Sequence, residues 1–270
     1  MFYGVRSLIG PGCVLHPREL EEEMNYLKDA GFDTSLVKVS PTCHIVTDEH
    51  VEFDKNNLAK KLGTTSKGIA PAYAAKYART GILAKDVLPS ELIWNDELPG
   101  RILCEGAQGF WLDIDHGDYP YVTSSSTLPY AACSIGFPPQ NIRNIYGAAK
   151  AYDTRSGEDP LFPESLLDDP VLRSIADAGL EFGVTTGRRR KVNWLNMDKL
   201  IMAINISGTT HLIISKCDIL MKVGEYKYFY GGDLVSSASI DIFNNKIKRL
   251  VVENCRLVVD VAFSYSPEEI

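Results

Sequence analysis

The sequence predicts an α/β fold, because short apolar runs typical of buried strands alternate with helical patterns. Strand-like runs occur at Arg101–Cys104, Ile142–Tyr146 and His211–Ser215. The last of these follows a helical stretch, Met197–Ile206, which ends at Gly208. Alternation of this kind favours a mainly parallel central sheet flanked by helices.

Patterns near the two ends of the chain add a helix and further strands. We expect a helix over Pro17–Ala30, since proline suits the first helical position and Gly31 can end the helix. Its apolar stripe consists of Leu20, Met24 and Leu27. Towards the other end, Lys246–Phe263 is rich in β-branched residues and therefore predicts strands.

Length and composition are those of an ordinary globular protein. With 270 residues, 45% of them hydrophobic and 23% charged, the chain suits one large domain or at most two small ones, and we expect a single domain over residues 1–270. No run of 18 apolar residues occurs, so we expect no membrane-spanning helix. The net charge of −7 argues against a nucleic-acid partner.

Cysteine usage and the first residues bear on the compartment. Six cysteines are present, and none forms a C-x-x-C pair, so their spacing suits neither a zinc site nor a small disulfide scaffold. The first residues lack the apolar stretch of a signal peptide. We therefore expect a cytoplasmic protein with reduced thiols.

Long polar, glycine-rich segments separate the predicted elements. They cover residues 63–71, 105–127, 153–162 and 183–191. Loops of this length are uncommon in a compact domain unless they bind something. These segments are therefore where the chemistry is expected.

The first loop, Gly63–Pro71, has the composition of a phosphate cradle. It combines two threonine hydroxyls, backbone amides freed by glycine, and Lys67. The alternative is a helix N-cap beside a solvated lysine. The loop does not match the Walker A pattern G-x-x-x-x-G-K-[ST].

The second loop, residues 105–127, follows the strand predicted at Arg101–Cys104 and presents Gln108 after a glycine turn. An amide side chain donates and accepts hydrogen bonds at once, which suits the edge of a purine. Asp113, Asp115 and His116 follow within the loop. We expect these carboxylates to cap backbone amides rather than to bind a metal, because acidic side chains beside hydroxyl-rich turns often do so.

The third loop contains four consecutive cations, Arg188–Lys191, directly after T-T-G. A solvated basic face is the ordinary explanation of such a run. Arginine also grips carboxylates and phosphates in a bidentate way, and we favour an anion site in this otherwise acidic chain.

A fourth candidate is Ser215–Asp218, which follows a predicted strand. It resembles the [NT]-K-x-D element that reads guanine, in which the carboxylate accepts hydrogen bonds from the base and the lysine stem packs over the ring. Four residues are a weak pattern on their own. Their position after a strand adds weight, because α/β proteins bind ligands at the carboxyl ends of strands.

Taken in order, these segments resemble the adenylosuccinate synthetase family. The most specific match is E-G-A-Q-G at 105–109, followed by L-D-I-D-H-G-D-Y-P-Y-V-T-S-S at 112–125. Residues 63–73 resemble the family's G-T-T-G-R-G-I-G-P-A-Y, and residues 183–194 resemble its aspartate-binding loop. Lys150–Arg155 resembles a further segment. The resemblance extends from about residue 8 to the end.

The resemblance implies a P-loop-NTPase-like architecture and a two-step ligation. GTP phosphorylates O6 of inosine monophosphate (IMP), and L-aspartate then displaces the phosphate to give adenylosuccinate, GDP and phosphate. Magnesium is the cofactor that the family implies, although its expected ligands are not recognised in this sequence. The family also implies a homodimer in which Arg79 reaches the partner's nucleotide phosphate.

Matching positions assign the binding residues that the resemblance implies. The residues expected to bind IMP are Thr65, Arg79, Gln108, Thr123 and Arg188. The residues expected to bind aspartate are Thr185, Thr186, Arg188 and Arg190. The residues expected to bind GTP are Lys216, Asp218, Ser264 and Ser266, the two serines by a poorer match.

Two family motifs have no counterpart in these 270 residues. The glycine-rich G-D-E-G-K-G loop supplies the expected catalytic base and holds the GTP phosphates, and N-A-G-H supplies the acid. We therefore expect a chain that lacks the N-terminal strand and loop, with no catalytic residue retained. The counterpart of the opening Ile9–Pro17 lies well inside full-length members. Loss of a central strand predicts poor solubility, or dimerisation that covers the gap.

Three functions stay open at this point. The first is the GTP-dependent ligase of AMP biosynthesis, read from an N-terminally truncated sequence. The second is a catalytically inactive homologue that still binds nucleotides. The third is a phage-type synthetase that uses a 2-aminopurine nucleotide in place of IMP, although residues 112–125 look more like the ordinary synthetase.

Overall fold

The computed structural model describes residues 4–98, 100–183 and 187–268. The chain divides into two compact units, Met1–Asn141 and Ile142–Ile270. We call them unit 1 and unit 2 and describe each by itself. The expectation of a single domain over 1–270 stays a prediction.

Unit 1 consists of short strands and helices. Its strands are β1 (Ser7–Ile9), β2 (Val14–Leu15), β3 (Val37–Val39) and β4 (His44–Ile45). Its α-helices are α1 (Pro17–Asp29), α2 (Asp48–Phe53), α3 (Ala59–Leu62) and α4 (Ile69–Ala78), with a π-helical turn at Asp54–Leu58. Its 3-10 turns are Thr34–Leu36, Ala84–Asp86, Ser90–Leu92, Phe110–Leu112, Pro129–Ile135 and Pro139–Asn141.

The strands of unit 1 pair in parallel, β1 with β3 and β2 with β4. Its core consists of Leu15, Leu20, Val39, Cys43, Ile45 and Ala84. Helix α1 buries Leu20 against this core, with Met24 packed beside it. The apolar stripe expected along this helix is therefore confirmed at Leu20 and Met24, while Leu27 is only half-buried.

Unit 2 contains the larger sheets. Its strands are β5 (Tyr146–Lys150), β6 (Tyr152–Arg155), β7 (Lys191–Asn196), β8 (His211–Ser215), β9 (Lys227–Tyr230), β10 (Asp233–Ser236) and β11 (Asp260–Phe263). Its α-helices are α5 (Pro170–Ala178), α6 (Met197–Ser207), α7 (Cys217–Val223) and α8 (Ile240–Asn254), with a 3-10 turn at Glu164–Leu167.

Two sheets organise unit 2. One has the strand order β11–β8–β5, in which both pairs are parallel. The other has the order β10–β9–β7–β6 and is mixed. Of the seven strand pairs formed by the described residues, five are parallel. This confirms the predicted α/β class with mainly parallel strands.

Several individual elements follow the sequence pattern. The predicted helix at Pro17–Ala30 is confirmed as α1, and Gly31 follows it with a φ of 86°. Strand β8 matches the prediction residue for residue, and α6 ends at Gly208, which adopts a left-handed conformation. None of the helices among residues 4–98, 100–183 and 187–268 combines the length and apolarity needed to cross a bilayer.

Three predicted strands are wrong in place or in kind. Residues Arg101–Cys104, all of them described, lie outside any strand and are exposed. The strand expected at Ile142–Tyr146 instead starts at Tyr146. Half of the run at Lys246–Phe263 is helical, since α8 continues to Asn254, and only β11 is a strand.

The error at Lys246–Phe263 has a clear physical reason. The residues of α8 that contact the core are Ile240, Phe243, Ile247 and Val251, all at most 8% exposed. Their spacing of three and four residues places them on one face of a helix. Ser239 accepts a hydrogen bond from the Ile242 N–H and caps the N-terminus. Burial of this face outweighs the β propensity of the valines.

Candidate functional site

The carboxyl ends of the parallel strands in unit 2 bring together the residues predicted to bind guanine. Phe263 of β11 pairs with Ile214 of β8, so the chain leaves both strands at the same edge. The Ser264 N–H donates to the Ile214 carbonyl at 2.9 Å, and the Cys217 N–H donates to the Ser264 carbonyl at 3.2 Å. The turn at Lys216–Asp218 and the turn at Ser264–Ser266 are therefore joined by backbone hydrogen bonds.

Lys216 and Asp218 sit differently within this edge. Lys216 has a φ of 65° directly before α7, and its Nζ donates to the Gly179 carbonyl at 3.2 Å. Asp218 is half-buried in the first turn of α7. Its carboxylate accepts no hydrogen bond from the residues that the structure describes, so both oxygens are available to a ligand.

The second turn is held in shape by its own serines. Ser264 Oγ donates to the Ser266 carbonyl at 2.8 Å, and Ser266 Oγ accepts from the Glu268 N–H at 3.3 Å. In the first turn, burial raises the pKa of the Cys217 thiol to about 12, with a further contribution from the charge of Asp218. Cys217 is thus a packing residue and not a nucleophile.

The basic run Arg188–Lys191 is largely neutralised within unit 2. Arg189 Nη2 contacts Asp177 Oδ1 at 2.7 Å, and Lys191 Nζ contacts Glu164 Oε1 at 3.0 Å. Arg190 Nη1 contacts Glu181 Oε2 at 2.9 Å, while Arg188 is exposed. Arg189, Arg190 and Lys191 thus form ion pairs, and the anion site predicted for this run stays a prediction. Thr185 and Thr186 lie outside the described residues.

A buried acid, Glu181, was not singled out from the sequence. It is 1% exposed and contacts Lys150 Nζ, the Tyr152 hydroxyl and Arg190 Nη1. Burial opposes its charge, but the hydrogen bonds from Lys150 and Tyr152 outweigh that effect and lower the pKa of Glu181. Burial lowers the pKa of Lys150 in turn. Glu181 lies in sequence between the family-like segments 150–155 and 183–194. This position was the signal from which the sequence could have identified it.

In unit 1, the predicted phosphate cradle is shaped by a buried aspartate. Asp54, 2% exposed, accepts from Thr64 Oγ1 at 2.6 Å and from the Gly68 N–H at 2.9 Å. Lys67 is paired with Glu19 of α1. Thr65 remains exposed at the tip of the loop. The loop is therefore preformed, with its lysine in an ion pair and its second threonine facing outward.

Gly68 is required by this loop, and we expect Gly68→Ala to destabilise the chain by ~3 kcal/mol. Gly68 has a φ of 72°, and an added Cβ would lie 2.8 Å from the His50 carbonyl carbon and the Val51 nitrogen. The control is Gly31→Ala, at a φ of 86° with nothing within 4 Å, which should cost only ~1 kcal/mol. Urea denaturation measures both. Equal losses would show that the close packing at Gly68 is unimportant.

Arg79 ends α4 with a φ of 63° and has an exposed side chain. A left-handed conformation is unusual for arginine, and it turns the chain back after the helix. The Arg79 N–H donates to the Lys76 carbonyl at 3.1 Å. The exposed guanidinium is compatible with the predicted contact to a partner subunit, which stays a prediction.

The loop at 105–127 is organised around Asp113, which is fully buried. Its carboxylate accepts from the Thr127 N–H at 2.6 Å, the Asp115 N–H at 3.0 Å and His116 Nδ1 at 3.1 Å. Burial alone would raise the pKa of Asp113, but these hydrogen bonds outweigh burial and lower it to about 2. The expectation that this acid caps backbone amides is confirmed.

The purine-contacting residues expected in this loop lie on its outer parts. Gln108 is exposed with a φ of 67°, so the chain turns sharply where its amide is presented. Thr123 is half-buried, and its N–H donates to the Leu112 carbonyl at 2.8 Å. Across residues 4–98, 100–183 and 187–268, no group of three or more acidic, histidine or cysteine side chains is suited to hold a metal ion.

Comparison with known proteins identifies the family of this chain. A family model described as adenylosuccinate synthetase matches residues 1–98 and 93–255. The chain belongs to the adenylosuccinate synthetase family. A relative named adenylosuccinate synthetase from Brevibacillus brevis is 32% identical over 88% of this chain, and one from Listeria monocytogenes is 34% identical over 82%. The chain spans 69% and 64% of their respective lengths, about two thirds.

Solved structures of adenylosuccinate synthetase type share the fold. The fully ligated adenylosuccinate synthetase from Plasmodium falciparum has a TM-score of 0.77 at 20% identity and covers 97% of this chain, which covers 83% of that one. The cyanophage S-2L succinoaminodeoxyadenylate synthetase bound to dGMP and dATP has a TM-score of 0.66, also at 20% identity, and covers 97% of this chain, which covers 74% of that one. At this identity, the likeness shows the fold alone.

The site residues predicted from the sequence divide between the two units. Those in unit 1 are Thr65, Arg79, Gln108 and Thr123. Those described in unit 2 are Arg188, Arg190, Lys216, Asp218, Ser264 and Ser266. Within unit 2, backbone hydrogen bonds join the two turns predicted to bind guanine, while Arg190 contacts Glu181, two residues after the Gly179 carbonyl that Lys216 contacts. All residues in these two groups were predicted from the sequence, whereas the buried acids Glu181 and Asp54 were not.

Proposed function

We propose that the chain provides the nucleotide-binding and aspartate-binding part of an adenylosuccinate synthetase. The reaction is the GTP-dependent joining of IMP and L-aspartate to give adenylosuccinate, GDP and phosphate. The observation that supports it best is the union of Lys216–Asp218 with Ser264–Ser266 at the carboxyl edge of the β11–β8–β5 sheet. This is the edge at which α/β proteins bind ligands.

Guanine recognition follows from the chemistry of Asp218. Guanine presents two adjacent donors, N1–H and the exocyclic amine, and a carboxylate offers two acceptor oxygens. Adenine has no donor at N1 and therefore cannot pair in this way. The stem of Lys216, whose Nζ is held by the Gly179 carbonyl, supplies an apolar surface for the ring.

The remaining ligands are assigned by their family positions. Thr65, Gln108, Thr123 and Arg188 contact IMP, and Arg79 reaches the IMP phosphate of a partner subunit in a homodimer. The groups that hold L-aspartate are Thr185, Thr186, Arg188 and Arg190. Arginine suits the two carboxylates of aspartate because its planar fork donates in pairs. Magnesium belongs to the family reaction; proteins usually hold it with one or two carboxylates together with substrate phosphates, and no step here depends on it.

Calorimetry tests the binding part of this proposal. Titration of GDP into the chain should give saturable heat, whereas ADP should give none, because only guanine matches the Asp218 acceptors. IMP should bind as a separate ligand. Titration of dGMP into the chain already saturated with GDP, which occupies the guanine edge, tests the 2-aminopurine alternative. Absence of heat with both GDP and IMP would refute the proposed function.

Nucleotide binding without ligation is the second candidate function. It is favoured by the positions present in these 270 residues, which include the guanine-reading and aspartate-gripping groups but no G-D-E-G-K-G or N-A-G-H motif. Phosphoryl transfer depends on positioning and neutralising the phosphates. An absorbance assay for adenylosuccinate with IMP, GTP, magnesium and aspartate separates the two. Turnover by the 270-residue chain would exclude the binding-only function.

A further inference from the structure

The turn after α5 touches two side chains that the proposed function places on ligands. Within this turn, Gly179 and Glu181 flank Leu180, which has a left-handed φ of 51°. The Gly179 carbonyl accepts from Lys216 Nζ at 3.2 Å, and Glu181 Oε2 accepts from Arg190 Nη1 at 2.9 Å. One three-residue turn thus contacts the lysine proposed to pack on guanine and an arginine proposed to hold aspartate.

Glu181 grips Arg190 through both its backbone and its side chain. The Arg190 N–H donates to the Glu181 carbonyl at 2.9 Å, in addition to the guanidinium contact. Arg190 Nε also donates to Ser156 Oγ at 3.3 Å. These contacts fix the plane of the guanidinium but use only part of its five N–H donors. The remaining donors keep one orientation, in a side chain that is 30% exposed.

The same carboxylate connects this arginine to the strand beside Lys216. Lys150 Nζ donates to both Glu181 oxygens at 2.8 Å, and Lys150 is the last residue of β5, paired with Ser215 of β8. The Tyr152 hydroxyl donates to Glu181 Oε1 at 2.8 Å. The charges of Arg190 and Lys216 both lower the pKa of Lys150, so the three cations lie near one another, and Lys150 and Arg190 contact the buried carboxylate directly. Without Glu181 these cations would repel one another.

We propose that Glu181 is a positioning residue that aligns Arg190 for L-aspartate and Lys216 for the guanine base. The inference rests on the proposed function of unit 2. Glu181 touches neither ligand. Its buried charge holds Arg190 directly, and it holds Lys216 in place by neutralising Lys150 and by anchoring the turn whose Gly179 carbonyl the lysine contacts. The turn therefore links the aspartate group to the guanine group mechanically.

The test compares Glu181→Gln with Glu181→Asp in the full chain. Glutamine keeps the shape but removes the charge and adds two donors, which face Lys150 and Arg190. Aspartate keeps the charge on a shorter stem. We expect GDP and L-aspartate to bind about tenfold more weakly to Glu181→Gln, with part of the affinity recovered in Glu181→Asp. Glu253→Gln is the matched control, because Glu253 pairs with Arg249 on the exposed face of α8, and this variant should bind both ligands normally.

A second measurement does not depend on ligand affinity. The Arg190 Nε–H signal in an arginine-labelled NMR spectrum, assigned with Arg190→Lys, should be sharp and slowly exchanging in the wild type. It should broaden or exchange quickly in Glu181→Gln and stay sharp in Glu253→Gln. If the wild type binds no GDP, the proposed function fails, while this signal still reports whether Glu181 fixes the arginine.

Three outcomes overturn the positioning role. One is a folded Glu181→Gln variant that binds both ligands within about twofold of the wild type. Another is an Arg190 signal that is unchanged by the substitution. The third is failure of both Glu181 variants to fold, which would show that Glu181 serves the fold and not the ligands. Cooperative thermal melts establish whether each variant is folded.

Discussion

Asp218→Asn should weaken the binding of GDP and strengthen the binding of xanthosine diphosphate (XDP). The variant replaces two acceptor oxygens with one acceptor and one donor. Guanine then meets a donor opposite its exocyclic amine, which leaves both groups unpaired. Xanthine carries a carbonyl at that position and matches the carboxamide. Loss of a charged hydrogen-bond pair should weaken GDP binding by ~100-fold, and XDP should bind the variant more tightly than the wild type.

Competition calorimetry with GDP and XDP measures both halves of this exchange. The matched control is Asp233→Asn, the same charge change at an exposed position of β10 in unit 2. It should leave the preference for GDP unchanged, because it is an ordinary surface charge. A parallel loss of both nucleotides in Asp218→Asn, with the fold intact, would show that Asp218 holds something other than the purine edge.

The edge proposed to bind guanine could be predicted from the sequence only in part. The [NT]-K-x-D likeness at Ser215–Asp218 is weak as a four-residue pattern, and it gained value from the predicted strand before it. Strand β8 appears where the pattern placed it because its apolar residues are contiguous and bounded by Gly208 and Lys216. The poorer match at Ser264–Ser266 becomes meaningful only through β11, which pairs with β8 in parallel.

The wrong strand prediction and the missed residues have a common physical cause, which is packing between residues that are distant in sequence. The β-branched run before Asn254 became a helix because its apolar side chains repeat at helical spacing and meet a core that the sequence does not display. Glu181 and Asp54 were missed because each is an ordinary acid in sequence. Only the fold shows that they are buried and surrounded by donors. Asp113 was recognised because its partners lie within the same loop.

Asp113→Asn should lower the free energy of unfolding by ~3 kcal/mol at neutral pH. The aspartate is fully buried and accepts hydrogen bonds from three backbone N–H groups, of Asp115, His116 and Thr127. Asparagine offers one acceptor oxygen and introduces an amide that faces these donors. The cost is that of unsatisfied buried polar groups. Urea denaturation of the whole chain measures it.

Asp115→Asn is the control. It removes the same charge two residues away, at an exposed position. It should alter stability by less than ~0.5 kcal/mol. If both variants lose the same amount, the loss comes from the change in net charge and not from the hub of hydrogen bonds at Asp113.

The pH dependence of the same difference distinguishes a buried charge from simple packing. The folded pKa of Asp113 is lowered to about 2 from an unfolded value of 3.8. A lowered folded pKa means that the contribution is complete above pH 3.8 and is lost as the pH falls towards 2. The linkage amounts to roughly 2–3 kcal/mol. The stability gap between wild type and Asp113→Asn should therefore narrow by about that amount below pH 4, whereas parallel curves would show that the Asp113 charge does not stabilise the loop that presents Gln108 and Thr123.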